Sequence, residues 1–361
     1  MAIVLCGCSR EEPAAPAPAD KAPSPSVAVA ADAPAAPAPI DAAVEAPGDD
    51  DTNTIRITVS KKRPAGSGVA RRCALGGDPI VGDCVGGGSG LAFDRGGTLY
   101  VVAGGEVRRY KRATGAEECR FDAAGAAVPL PAETQRRQPI DKGPVFMRSG
   151  GPAWHLSPGA GGAVLAVDYL GGTFRVDRGK SEPVCADVFG YESVASVGGA
   201  LYVVRRGLER LTPGVKCTAA SAKLDDKARG NAFGVRDKLH VAGRGASGVL
   251  RWDGTRSAPI AEGARICSVV AIVPCGDKGD KGAKGAKGAC VVDNNCAQVV
   301  QVGAHGGVVR KLASDAMFDR RPYTIESAAA HAEDLFLLAR HKAGDACEAA
   351  VYQLPAALFA D

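Results

Sequence analysis

The chain has 361 residues, with 44 basic against 40 acidic side chains, twelve cysteines, 47 glycines and 23 prolines, and only 5% aromatic residues. Three basic and nine acidic residues fall within the first 60, so the rest of the chain carries +10 and is the basic part. Twelve cysteines without one Cys-x-x-Cys pair, beside five histidines, speak against zinc sites and for disulfides in an oxidising compartment. No run reaches the roughly 18 apolar residues that a membrane-spanning helix needs.

In chain order, residues 1–8 come first, in "MAIVLCGCSREEPAAPAPAD". Leu5-Cys6-Gly7-Cys8 after a short apolar run resembles the lipobox of bacterial lipoproteins. The resemblance implies a truncated signal peptide, acylation of Cys8 and, with Ser9 rather than Asp in the next position, export to the outer membrane. No basic segment precedes the motif and the apolar run is shorter than a signal needs, so a genuine lipobox places the true start upstream. Residues 9–54 are Ala, Pro and acidic residues with hardly a large apolar side chain. They cannot bury enough surface to offset chain entropy and read as a disordered linker.

Residues 55–361 read as an all-β domain built on a repeat. "LAFDRGGTLYVV" (91–102) is strand, two-glycine turn, strand, and relatives of it recur at 163–179, 193–214, 231–254, 289–312 and 328–354. Anchoring on Leu99, Leu165, Leu201, Leu239, Val291 and Leu335 gives intervals of 66, 36, 38, 52 and 44 residues. All but the first lie near the length of a four-stranded propeller blade. Leu99-Tyr100-Val101-Val102 and Leu201-Tyr202-Val203-Val204 are apolar on both alternating faces, as in a sheet covered on both sides. The expectation is a β-propeller of six blades, with residues 55–87 forming either a seventh or the outer strand that closes the ring.

"GLAFDRGGTLYVV" is similar to NHL-type repeats of six-bladed propellers. Asp168 and Asp293 stand where the second Asp of that family falls, whereas Ala103, Arg205 and Ala242 replace it. The likeness implies fold more than function. Related propellers include calcium- or zinc-dependent lactone hydrolases, which makes Asp94, Asp168, Asp293 and Asn294 candidate ligands of Ca2+ or Zn2+ if they emerge at one blade end. The competing reading is that these acids cap turns.

Cys119, Cys185 and Cys217 follow their anchors at similar distances and should share an outer-strand position. Cys73 and Cys84 bracket a loop that a disulfide would close. "CGDKGDKGAKGAKGAC" (275–290) has glycine at every third position but only five triplets and no proline, too little for a triple helix. It reads as a hairpin insertion closed by Cys275 and Cys290, with Lys278, Lys281, Lys284 and Lys287 available to an anionic surface.

Catalytic patterns fail in turn. "RGKS" (178–181) ends like a phosphate-binding loop, but Phe174 occupies the place of its first glycine. "GGGSGL" (86–91) lacks the second glycine of a nucleophile elbow. His155 in "AWHLSPG" would face a channel mouth beside Trp154 or simply be a satisfied histidine. With no catalytic residue and no cofactor assigned, the expectation is a non-enzymatic, monomeric scaffold held to the envelope by lipid alone. Its partner would be an envelope protein or an anionic glycan, with no specific nucleic acid. A metal-dependent hydrolase is the alternative, and adhesion through the lysine loop is a third reading.

Overall fold

In a computed structural model of the chain, the described residues lie between 69 and 359. Within that span 78–79, 83–89, 104–105, 116–117, 131–153, 169–171, 189, 192, 206, 215, 223–229, 244–247, 256, 276–287, 319–323 and 344–345 are outside the description. All described residues belong to the unit formed by 51–361. Cys8, the linker and the four lysines of the 275–290 insertion therefore lie outside the described residues.

Three short strands come first: β1 (Arg71–Arg72), β2 (Ala74–Leu75) and β3 (Ile80–Gly82). Blade 1 is β4 (Leu91–Phe93), β5 (Leu99–Ala103) and β6 (Glu106–Arg112), with β7 (Arg120–Ala123) and β8 (Val128–Pro129) both paired to β6. Blade 2 is β9 (Trp154–Pro158), β10 (Val164–Asp168), β11 (Gly172–Asp177) and β12 (Lys180–Cys185). Blade 3 is β13 (Ala195–Val197), β14 (Ala200–Val204), β15 (Leu208–Thr212) and β16 (Thr218–Ser221). Blade 4 is β17 (Gly230–Val235), β18 (Lys238–Gly243), β19 (Val249–Trp252) and β20 (Ser257–Ile260). Blade 5 is β21 (Val269–Pro274), β22 (Ala289–Asp293), β23 (Gln298–Val302) and β24 (Val308–Ala313). Blade 6 is β25 (Thr324–His331), β26 (Asp334–Ala343) and β27 (Ala346–Leu354), completed by β1.

The first strands of successive blades touch all the way round, β4 to β9, β13, β17, β21, β25 and back to β4. The molecule is thus a closed six-bladed β-propeller, and the stretch before blade 1 supplies the closing strand rather than a seventh blade. All six anchor residues of the repeat sit on the second strand of their blades and are buried. The long first interval contains β7, β8 and the undescribed 131–153.

Alternation explains how each blade is held. On β5, Leu99 and Val101 enter one apolar cluster with Phe336, Leu338 and Val351 of blade 6. Tyr100 and Val102, pointing the other way, enter another with Trp154, Leu156 and Ala166 of blade 2. A strand side chain reverses face at every residue, so one apolar run supplies two interfaces. Six such clusters occur among the described residues, one at each blade junction. Near the axis the blades come closest. A Cβ on Gly90 would stand 2.5 Å from the Leu156 backbone nitrogen, and one on Gly234 would stand 2.6 Å from the Ser196 carbonyl oxygen, so neither site has room for a side chain.

Closure runs through residues 71–76. β1 pairs antiparallel with β27 of blade 6, Arg71 facing Gln353. Two residues later, β2 pairs in parallel with β7 of blade 1. Between them Cys73 donates its backbone N–H to the Val351 carbonyl (2.8 Å) and is bonded through sulfur to Cys119. This corrects the expectation that Cys73 would pair with Cys84. The parallel register sets Ala74 beside Arg120, which brings the preceding residues, Cys73 and Cys119, together; Cys84 lies outside the described residues.

The other bonds are Cys185–Cys217, Cys267–Cys296 and Cys275–Cys290. Cys185 ends β12 and Cys217 immediately precedes β16, so this pair ties the outer strands of blades 2 and 3. Cys275–Cys290 closes the insertion between β21 and β22, as its sequence suggests, with Pro274 paired to Ala289. No helix among the described residues is long and apolar enough to cross a membrane.

Removing residues 1–76 would delete β1, β2 and Cys73 together. Relative to the full chain, the shortened protein is expected to lose at least about 3 kcal/mol of stability and to self-associate through the bared Tyr352–Gln353 end of β27, β3 still covering Cys347–Ala349. Urea denaturation and size-exclusion chromatography read both. Unchanged stability and elution as a monomer would show that this strap does not close the ring.

Candidate functional site

The four candidate metal ligands are not brought together. Asp94 follows the first strand of blade 1, whereas Asp168 and Asp293 end the second strands of blades 2 and 5. First and second strands are antiparallel, so Asp94 emerges at the opposite end of its blade from the other two. Asp168 and Asp293 in turn stand three blades apart in a ring of six.

Each of two acids instead holds its own turn. Asp94 accepts from the Thr98 N–H (2.8 Å) and the Tyr100 hydroxyl (3.3 Å). Asp293, fully buried, accepts from the N–H groups of Cys267 (2.7 Å), Ser268 (2.8 Å) and Cys296 (3.3 Å) and from the Gln298 amide (3.1 Å). Asn294 joins the same turn through its backbone, donating to Ser268 and accepting from Ala297. Among the described residues, the one cluster of three His, Cys, Asp or Glu at ligating distance is Cys267, Asp293 and Cys296, and there both sulfurs are already joined to each other. The carboxylate lone pairs are spent on turn donors, which is the capping role.

His155 lies on the inner strand β9 and is half-buried. Its neighbour Trp154 does not accompany it but turns into the blade 1–2 cluster, edge-on to Phe174 at 5.7 Å.

A different site opens between blades 4 and 5. A cavity of about 450 Å³ is lined by Val235, Arg236, Asp237, Lys238, His240, Arg251 and Ile260 of blade 4 and, on the facing side, by Ala289, Val302, Ala304 and His305 of blade 5 among others. It lies at the blade end carrying the turns between first and second strands and between third and fourth strands. Arg236 and Asp237 form the two-residue turn linking β17 to β18, with Val235 paired to Lys238. Arg236 adopts φ 58°, while the same turn of blade 3 is Gly198-Gly199, both at positive φ. A non-glycine residue is strained there, as also at Ala332 and Glu333 in the same turn of blade 6, and here the turn sets charged side chains at the cavity rim.

Inside, β18 determines what reaches the cavity. Leu239 and Val241 face blade 3, and the alternate positions His240 and Ala242 face blade 5, where Ala242 joins the apolar cluster. His240 is 4% exposed, and its Nδ1 has no hydrogen-bond partner. Burial lowers its pKa from 6.5 to about 4, and the Arg251 guanidinium pushes the same way, so the ring is neutral near pH 7. Arg251, on the adjacent strand, is fixed across the junction by donating to the Ala304 carbonyl.

None of these residues stands out in the sequence through a motif. The signal available was positional: His240 follows its anchor Leu239 just as Tyr100 follows Leu99, Tyr202 follows Leu201 and Phe336 follows Leu335, a slot that takes Ala166 and Val292 in the two remaining blades.

No family model matches the chain, and no curated protein matches its sequence. Among solved structures, an auxiliary nutrient binding protein from Bacteroides ovatus is similar with a TM-score of 0.50 at 13% identity, over 78% of this chain and 76% of that one. The auxiliary nutrient binding protein from Bacteroides thetaiotaomicron gives 0.50 at 10% identity over the same shares. Virginiamycin B lyase from Staphylococcus aureus gives 0.46 at 10% identity, over 78% of this chain and 87% of that one. At such identities the likeness concerns fold, and the class it defines is the six-bladed β-propeller.

The buried imidazole makes stability depend on pH. In the unfolded chain it takes up a proton near 6.5, and in the folded protein only near 4. The neutral ring's contribution is therefore present above 6.5 and is lost as pH falls from 6.5 to 4, at up to about 1.4 kcal/mol per pH unit and on the order of 3 kcal/mol in all. Besides burial, the Arg251 guanidinium and the Lys238 ammonium oppose a positive charge on the ring, and a hydrogen bond with the Lys238 backbone favours one; Arg236, Asp237 and His305 line the same cavity. Urea titrations of wild type and His240→Gln should diverge across this window, with the variant losing less. Parallel curves would show that His240 does not titrate in this way.

Proposed function

We propose that this protein is an envelope-anchored lipoprotein whose NHL-like propeller is a non-enzymatic binding scaffold. The observation that carries the reading is the cavity between blades 4 and 5. Its described lining offers cations, a neutral imidazole and an apolar wall, with no serine, threonine or cysteine for a base to activate. The acids that a metal-dependent hydrolase would gather are instead spread over opposite ends and opposite sides of the ring, and Asp94 and Asp293 are engaged in their own turns.

Other features support the same reading. Four disulfides among the described residues suit an exported protein. Two propellers of similar fold carry nutrient-binding names. The lipobox-like Cys8 would place the protein on the outer membrane, and an Ala/Pro linker of residues 9–54 would hold the propeller off the surface by roughly 40 Å if it behaves as a flexible coil. Such a molecule captures a protein, glycan or small ligand and performs no covalent step.

Protein prepared without a metal-binding tag should contain no stoichiometric metal, melt alike with and without chelator, and leave lactones and aryl esters intact. One equivalent of calcium or zinc, together with chelator-sensitive melting and hydrolysis, would overturn the scaffold in favour of the hydrolase. For the anchor, Cys8→Ser should abolish palmitate incorporation and release the protein from the membrane fraction. Retention of both would place attachment elsewhere.

A further inference from the structure

We propose that the cavity between blades 4 and 5 binds a small organic anion, a carboxylate or phosphate on a carbon skeleton about the size of a monosaccharide. The inference rests on the scaffold reading and names the ligand class of that site.

Charge is the first argument. Arg236, Lys238 and Arg251 line the cavity against one carboxylate, Asp237, so the lining carries a positive excess with His240 neutral. Arg251 is half-buried and held by its bond to Ala304. A guanidinium whose position is already fixed loses little freedom on meeting an anion and offers planar paired donors to a carboxylate or phosphate.

The second, independent argument is His240. A polar ring that is 96% buried, with one nitrogen lacking any partner, costs stability unless something fills its hydrogen-bonding capacity. The repeat supplies a cheaper choice, since an apolar or aromatic residue occupies the equivalent place in other blades, as at Tyr100 and Phe336. A neutral imidazole can rotate its N–H toward an anion or accept from a ligand hydroxyl, which those residues cannot do in the same way.

Size and shape make the third argument. About 450 Å³ falls within the range of small-molecule sites. Val235, Ile260, Ala289 and Val302 give it an apolar wall for a carbon body. An extended polyanion would instead track a surface groove, whereas here the most deeply buried polar group, His240, is reached only within the junction. A divalent cation finds one carboxylate among three cationic side chains, the wrong balance for an oxygen-ligated ion.

The test is isothermal titration of the full chain with inorganic phosphate, glucuronate, glucose 6-phosphate, glucose and heparin. Glucuronate or glucose 6-phosphate should saturate a single site while glucose stays silent. Arg236→Gln with Lys238→Gln, both exposed positions, should weaken that binding about tenfold or more at an unchanged melting temperature. If the double variant melts lower, Lys238→Gln alone should still weaken binding.

The inference is overturned if no anion gives saturable heat at millimolar concentration, if the variants bind as wild type does, or if heparin binds and the small anions do not. Any of these, with metal-independent melting and no hydrolysis, removes the ligand assignment and leaves the scaffold reading intact. Metal-dependent hydrolysis instead removes the scaffold reading, whatever the anions do.

Discussion

Every blade of this protein is apolar on both faces, and a stack of such sheets is stable only if neither end is left bare. The ring meets that demand at the junction of blades 6 and 1, where Phe93, Phe121 and Phe336 pack with centroids 4.9 to 6.2 Å apart and His331 stacks on Phe93 at 4.8 Å. The chain carries nine phenylalanines in all, and gathering three at one seam shows where ring closure draws its apolar contact. Residues 71–76 then cross the seam, hydrogen-bonded to blade 6 on one side and to blade 1 on the other, with Cys73–Cys119 as the covalent stitch. The covered faces of the remaining blades presuppose this junction, because opening it would expose two sheets at once.

The same geometry explains where a binding site can arise. Blade junctions are filled by alternate residues of the second strands, so a polar residue at one of those positions interrupts the apolar packing. On β18 the position facing blade 5 is His240, and the neighbouring turn carries Arg236 at a backbone angle better suited to glycine. A polar residue with an unpartnered nitrogen in a core slot departs from what folding alone would choose. Departures of this kind concentrate at functional sites.

The acids stood out in sequence for a different reason. Asp94 and Asp293 recur because turns after strands need acceptors for N–H groups that the ladder leaves unpaired, and Asp293 alone satisfies three backbone donors and a glutamine. A conspicuous Asp therefore marked the end of a strand rather than a metal. The residues around the cavity were quiet because they come from two turns and six strands separated by up to 70 positions, and no local spacing reports such a convergence.

What the sequence by itself determined was the blade: strands of alternating apolar residues, glycine turns, six anchors all on second strands, and the Cys275–Cys290 hairpin. These are local facts, written in side-chain period and turn chemistry. The tertiary structure alone decided three others. It made the pre-blade segment a closing strand, it set Cys73 against Cys119 across 46 residues, and it turned His240 toward Arg251 and the facing blade. Each depends on which surfaces meet when the ring closes, a long-range condition that no stretch of neighbouring residues contains.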